Sequence, residues 1–194
     1  ADPQYNDVIC MNDDWLAVRN GRIDSSFNGI ASNASGEWYC EYGQVQFAAS
    51  GLVKSENDAF DGWYYVRNGC VQKGQETVVQ NSSGWWYIGT DGKVDFHKNT
   101  VAPNEYGWWA VRNGAVDFQL NGIASNESGD WYCRGGQVDF GAAGVLESET
   151  EGFSGWYYIQ NGCVQKGQET VKQNSNGWWY IGTDGKVDFH KNTV

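Results

Sequence analysis

Large apolar side chains recur along this chain in short alternating runs and never at helical spacing. Leu16, Trp38, Tyr64, Trp86, Trp109, Trp131, Tyr157 and Trp179 occupy one column, spaced 22, 26, 22, 23, 22, 26 and 22 residues apart. Within a run, alternate residues change face. Trp86 and Ile88 share one side of a strand, and Trp85 and Tyr87 the other. A turn signal follows six of these runs, at Asn20-Gly21, Asn68-Gly69, Asp91-Gly92, Asn113-Gly114, Asn161-Gly162 and Asp184-Gly185. Such pairs predict type I′ turns, which need positive φ at both central residues. Beyond the turn, Val94 and Phe96 point one way, and Lys93, Asp95 and His97 the other. Each unit therefore reads as a β-hairpin followed by a polar return, with the Trp86 column buried against Val94 and Phe96. One hairpin alone is marginally stable. A fixed short period implies units that bury their apolar faces on their neighbours.

A longer period contains the shorter one. Residues 15–101 align without gaps on residues 108–194, with 63 identities in 87 positions. The expected fold is all-β: an elongated solenoid of about eight stacked β-hairpin repeats, in which a 93-residue four-hairpin block is duplicated. The expected organisation is a tail and partial lead-in unit over 1–14, a first block over 15–107 and a second over 108–194. The chain stops inside a repeat connector, which points to excision from a longer protein. Variation between the copies is uneven. Residues 15–61 differ from 108–154 at 20 of 47 positions, but 62–101 differ from 155–194 at only 4 of 40. A shared ligand would be read by the near-identical half, giving two equivalent sites.

Composition narrows the function. The chain has 26 glycines against two prolines, 11 Trp and 11 Tyr, and a net charge of −11. A nucleic-acid partner would need a basic stripe, and none exists. No apolar run approaches the ~20 residues of a membrane-spanning helix, so membrane insertion is not expected. Cys40 and Cys70 recur as Cys133 and Cys163 with the same spacing of 30. A duplicated pair points to disulfides Cys40–Cys70 and Cys133–Cys163, and hence to an oxidising compartment. Cys10 has no counterpart.

Little catalytic chemistry is legible. His97 and His190 are the only histidines and are one position written twice. No nucleophile motif, phosphate loop or metal-ligand cluster accompanies them, so no enzyme, cofactor or metal site is expected. Asn33, Asn81 and Asn126 begin glycosylation sequons, meaningful only in a eukaryotic secretory pathway. The second Trp face is more informative. Trp15, Trp63, Trp85, Trp108, Trp156 and Trp178 fill it, with Glu37 and Asp130 as acidic breaks. These rings form either a second core between units or open stacking platforms, with the acidic breaks lining a notch. The third and seventh units lose their return-strand Phe and read "CVQKGQETV" instead.

The units "NGWWYIGTDGKVDFHKNTV" and "YGWWAVRNGAVDFQLNGIASNES" resemble aromatic "NGWWYxxNGKVDF" repeats on surface proteins of Gram-positive gut bacteria. They are more distantly similar to choline-binding and glucan-binding cell-wall repeats. The resemblance implies a non-enzymatic, secreted or cell-wall-attached protein. Because such surface proteins look like a group that includes B-cell superantigens, it implies as leading partner host immunoglobulin, bound through variable domains. The alternative is a cell-wall glycan or choline-binding anchoring module; a third possibility is a structural stalk. The candidate binding residues are Trp63, Tyr65, Gln72 and Gln75, with their copies Trp156, Tyr158, Gln165 and Gln168.

Overall fold

A computed structural model describes residues 4–191. The chain comprises two compact units, residues 1–96 and 97–194. Among the described residues every regular element is a strand. In the first unit these are β1 (Asp7–Met11), β2 (Asp14–Arg19), β3 (Arg22–Ile23), β4 (Gly29–Asn33), β5 (Gly36–Glu41), β6 (Gln44–Val45), β7 (Gly51–Asn57), β8 (Phe60–Arg67), β9 (Cys70–Val71), β10 (Thr77–Asn81) and β11 (Gly84–Ile88). The second unit holds β12 (Thr100–Asn104), β13 (Gly107–Arg112), β14 (Ala115–Val116), β15 (Gly122–Asn126), β16 (Gly129–Arg134), β17 (Gln137–Val138), β18 (Gly144–Thr150), β19 (Phe153–Gln160), β20 (Cys163–Val164), β21 (Thr170–Asn174) and β22 (Gly177–Ile181).

The hairpins are present, with a different partner strand. The long strand that carries each Trp pairs mainly with the segment before it, the stretch whose sequence reads as a polar return. Thr77–Asn81 runs antiparallel to Gly84–Ile88, with Val79 opposite Trp86. The asparagine that opens the intervening turn explains this. Asn81 Oδ1 accepts from the Ser83 and Gly84 amides at 2.8 and 3.1 Å, closing the corner with a side chain. The strand behind the second turn is short. It has two residues in β6, β9, β17 and β20, and shrinks to the Ile88–Val94 bridge after β11.

Those short strands join one hairpin to the next. β6 pairs with its own β5 and also with the preceding β2, where Leu16 faces Gln44. β9 joins β8 to β5 in the same way, with Trp38 opposite Cys70. In the second unit β17 links β16 to β13, and β20 links β19 to β16. One hydrogen bond repeats at each junction. A long-strand amide donates to the carbonyl of the next hairpin's turn glycine: Ala17 to Gly43, Tyr39 to Gly69, Tyr65 to Gly92, Ala110 to Gly136, Tyr132 to Gly162 and Tyr158 to Gly185, all at 2.7–2.9 Å.

The turn pairs split into two kinds. Asn20-Gly21, Asn68-Gly69, Asn113-Gly114 and Asn161-Gly162 have positive φ at both residues, as type I′ requires. Asp91-Gly92 and Asp184-Gly185 do not. There only the glycine is left-handed, and Asp91 instead accepts from the Lys93 amide at 3.0 Å. Tyr42-Gly43 and Gly135-Gly136 fill the two slots that carry no Asn-Gly or Asp-Gly, with positive φ throughout.

The core is segmented, one small cluster per junction. In the first unit Val8, Ala17, Phe27, Cys40 and Val45 form one cluster, and Ile30, Tyr64, Val66 and Val71 another. The second unit repeats both, and a third cluster there holds Val145, Ile181 and Val187.

The expected Cys40–Cys70 and Cys133–Cys163 disulfides are not formed; all five cysteines are free thiols. Register explains this. Cys70 lies opposite Trp38, two residues from Cys40 on the neighbouring strand. Such a diagonal separates Cα atoms by about 8 Å, beyond the ~7 Å a disulfide spans. Cys133 and Cys163 repeat the offset across Trp131. The argument for an oxidising compartment from paired cysteines falls with them.

Burial pushes the Cys40 and Cys133 thiols up to about 12. Their ordinary value is 9.0, so at alkaline pH the unfolded chain sheds these protons first. Stability is therefore expected to fall as pH rises from about 9 towards 12. Urea midpoints across that range should flatten in a Cys40→Ala/Cys133→Ala variant. Denaturation without reductant should release five titratable thiols; three or fewer would restore a bridge.

Gly69 has φ +74, and a Cβ there would stand 2.6 Å from the Gln46 carbonyl oxygen. Gly74 has φ +89 but nothing within 4 Å. Both Gly→Ala changes should cost about 1–2 kcal/mol in backbone strain. Gly69→Ala should cost more, because backbone must also move. Thermal melts of the two variants isolate the clash; equal losses would refute it.

Candidate functional site

Each tryptophan of the first column is clamped from below. Its indole Nε1 donates to the asparagine five residues earlier: Trp38 to Asn33 at 3.1 Å, Trp86 to Asn81 at 3.1 Å, Trp109 to Asn104 at 2.9 Å, Trp131 to Asn126 at 3.0 Å and Trp179 to Asn174 at 2.7 Å. The same asparagines close the hairpin turns, so turn and ring orient together. The return-strand Phe then packs edge-on to the indole. Centroids are 5.4 Å apart for Trp86–Phe96 and for Trp179–Phe189, and 5.6 Å for Trp109–Phe118. The expected contact of the Trp86 column with Phe96 is thus made within one unit.

A tryptophan from the preceding hairpin completes a three-ring group. Trp15, Trp38 and Phe47 meet with centroids 5.3–5.8 Å apart, and Trp108, Trp131 and Phe140 repeat this at 5.3–6.0 Å. Those groups are closed by direct ring contact. The group at the end of the second unit is open. Trp156, Trp179 and Phe189, with Val145, Asn174 and Asn176, line a cavity of about 190 Å³. No lysine or arginine lines it. Aromatic faces carry partial negative charge, and Asn174 Oδ1 adds a carbonyl dipole. The register-equivalent residues of the first unit are Trp63, Trp86 and Phe96.

The sequence-predicted residues divide around this cage. Trp156 is a wall, and Tyr158 packs beside it on the Val145, Ile181 and Val187 cluster. Trp63 and Tyr65 share a face of β8 in the same way. Both tyrosine rings already hold a cation: Arg67 lies 5.5 Å from the Tyr65 centroid, and Lys172 lies 4.5 Å from that of Tyr158. Gln72 and Gln165 turn back onto the carbonyls of Cys70 and Cys163 at 2.9 and 3.0 Å. Gln75 and Gln168 sit on exposed loops. Trp179, Phe189 and Asn174 were missed because their column reads as core. The signal lay in the step between units: a second-face Trp meets the first-face Trp 23 residues later.

The acidic breaks do not form an open notch. Glu37 pairs with Lys73, and Asp130 with Lys166. Asp130 is buried; Ser125 donates to its Oδ1 at 2.7 Å, while Oδ2 meets the ammonium without a well-aligned hydrogen bond. The second Trp face is neither a closed core nor a bare platform. Trp63, Trp85 and Trp156 are half-buried, whereas Trp178 is 67% exposed. Among the described residues no group of three metal-ligating side chains converges, and no helix is long and apolar enough to cross a membrane.

A family model described as the choline-binding repeat matches residues 26–46, 60–72, 76–95, 98–117, 121–139 and 154–165. The chain belongs to the choline-binding repeat family. No curated protein matches it. Among solved structures it is similar to CbpJ from Streptococcus pneumoniae TIGR4, at 18% identity and TM-score 0.38, over 90% of this chain and 56% of that one. Choline-binding protein F from Streptococcus pneumoniae aligns at 17% identity and TM-score 0.38, over 90% and 55%. The choline-binding domain of CbpL from Streptococcus pneumoniae aligns at 15% identity and TM-score 0.41, over 97% and 100%. The chain thus spans little more than half the length of CbpJ and of choline-binding protein F. The family favours the anchoring alternative; nothing in it points to immunoglobulin as partner.

Asn126 closes its turn, holds the Trp131 indole and donates to the Val101 carbonyl at 3.0 Å. Asn126→Ala should therefore cost about 2–3 kcal/mol, as buried partners lose their bonds. A chemical melt checks this, with Glu127→Ala, exposed on the same turn, as the control.

Proposed function

We propose that this chain is a non-catalytic cell-wall-anchoring module of a secreted or surface-attached bacterial protein. Its open aromatic cage takes up the quaternary ammonium of wall-linked choline. The observation that supports the reading is the cavity between Trp156, Trp179 and Phe189, in a chain made of choline-binding repeats. Quaternary ammonium groups cannot donate strong hydrogen bonds, so ring faces are their natural hosts. The cage suits such a group: its Trp179 wall is held by Asn174 and the Phe189 edge before any ligand arrives. Pre-orientation limits the entropy lost on binding.

Two copies of the cage sequence per chain would raise avidity on a wall bearing many choline groups. Single weak sites would then suffice for retention. The net charge of −11 favours a cationic ligand over an anionic one at long range.

Choline titrated against intrinsic tryptophan fluorescence should give a saturable change, and the chain should stay on choline-substituted resin until free choline elutes it. Trp179→Ala or Trp156→Ala should weaken binding at the second-unit cage about tenfold, in line with the loss of one ring face. A chain that ignores choline yet withdraws antibody from serum would overturn this reading in favour of immunoglobulin.

A further inference from the structure

Each unit carries a second concavity, unrelated to the cage, at positions displaced by 93 residues. In the second unit it has a volume of about 420 Å³; its first-unit counterpart measures about 120 Å³. The floor of the larger groove is apolar, from Val111, Leu120, Ile123 and the half-buried Phe153. Its rim is polar and of mixed sign. Arg112 and Glu151 are both exposed, and Asn99 Oδ1 already accepts from the Asn113 backbone amide at 2.8 Å. None of these residues lines the cage.

The two copies differ for a physical reason. Phe27 stands where the second unit has Leu120, and the Arg19 guanidinium lies 5.0 Å above its ring. Asn57 stands where the second unit has Thr150, and reaches across to the Ile30 carbonyl at 2.9 Å. Larger side chains and a folded-down arginine narrow the first groove. In the second unit Leu120 offers no ring, so Arg112 swings to Asp117 at 3.6 Å and the groove stays open.

From this geometry we infer that the groove around Phe153, Arg112 and Glu151 binds a neutral pyranose oligosaccharide, and that only the second unit does so. A sugar ring presents an apolar C–H face and a rim of hydroxyls that both donate and accept. The floor suits the first, and an arginine beside a carboxylate suits the second. A cation would meet Arg112 and an anion Glu151, so neither is well served. The site is independent of the choline cage and stands or falls separately from it.

The probes are cellotetraose, isomaltotetraose and chitotetraose, each titrated by ligand-observed NMR and calorimetry against the full chain. At least one should bind saturably, with one equivalent per chain. Arg112→Ala and Glu151→Ala, both exposed and so compatible with folding, should each weaken that binding at least tenfold. Leu120→Phe/Thr150→Asn, which installs the first unit's residues, should abolish it. Phe27→Leu/Asn57→Thr should add a second equivalent. Choline-induced fluorescence change should be the same in all four variants. Three results would overturn the inference: no saturable binding of any probe, binding indifferent to Arg112→Ala and Glu151→Ala, or two equivalents in the parent chain. Loss of choline response alone would count against the cage only.

Discussion

The structure depends on a backbone contact: the carbonyl of a turn glycine accepting from a long-strand amide of the hairpin before it. The contact requires two things of the glycine at once. It must sit at positive φ, and it must lie flat against the previous return segment. At Gly43, Gly69, Gly136 and Gly162 a Cβ would stand 2.3–2.6 Å from a carbonyl oxygen of that segment. No L side chain meets both demands. This is why glycine is so abundant, and why the spacing of the array is set by turns rather than by any large core.

Segmented cores follow from that ladder. Each described cluster buries a handful of residues at one junction. Stability in such an arrangement is a sum of nearest-neighbour terms. A change in one hairpin is felt by its neighbours and little beyond. That tolerance lets the two blocks differ at 20 of 47 positions over one half while keeping the same hairpins. It also lets corresponding hairpins differ in local shape. The three-ring groups at Trp15 and Trp108 are closed by ring contact, whereas the one at Trp156 is open. The Arg19 groove is narrow and the Arg112 groove is wide. At the groove, side-chain substitutions and not new elements accompany the difference.

Asparagine plays the complementary role at the other end of each hairpin. One Oδ1 closes the turn and fixes an indole, so the shape of an aromatic wall is decided by a residue in the turn. This couples folding to site geometry. In the open group this leaves the Trp179 indole held by Asn174 and braced by the Phe189 edge. The free thiols fit the same picture. Cys40 and Cys133 behave as small apolar core residues, and register, not chemistry, keeps them from Cys70 and Cys163.

The sequence by itself determined the strands, the eight-fold beat, the duplication and most of the turns. These rest on local rules: alternation of faces, and the preference of Asn-Gly for positive φ. It also singled out Trp156, which lines the open cavity of the second unit. It could not decide which segment pairs with the Trp-bearing strand, because a polar run ending in an asparagine-closed corner looks like a connector. The disulfides failed for a related reason: equal spacing along the chain says nothing about a two-residue offset across a ladder. Whether a ring is wall or core, and whether a groove is wide or narrow, was settled only by tertiary structure. Those outcomes depend on which side chain of the next hairpin reaches the same space, and that distance is set by stacking, not by sequence separation.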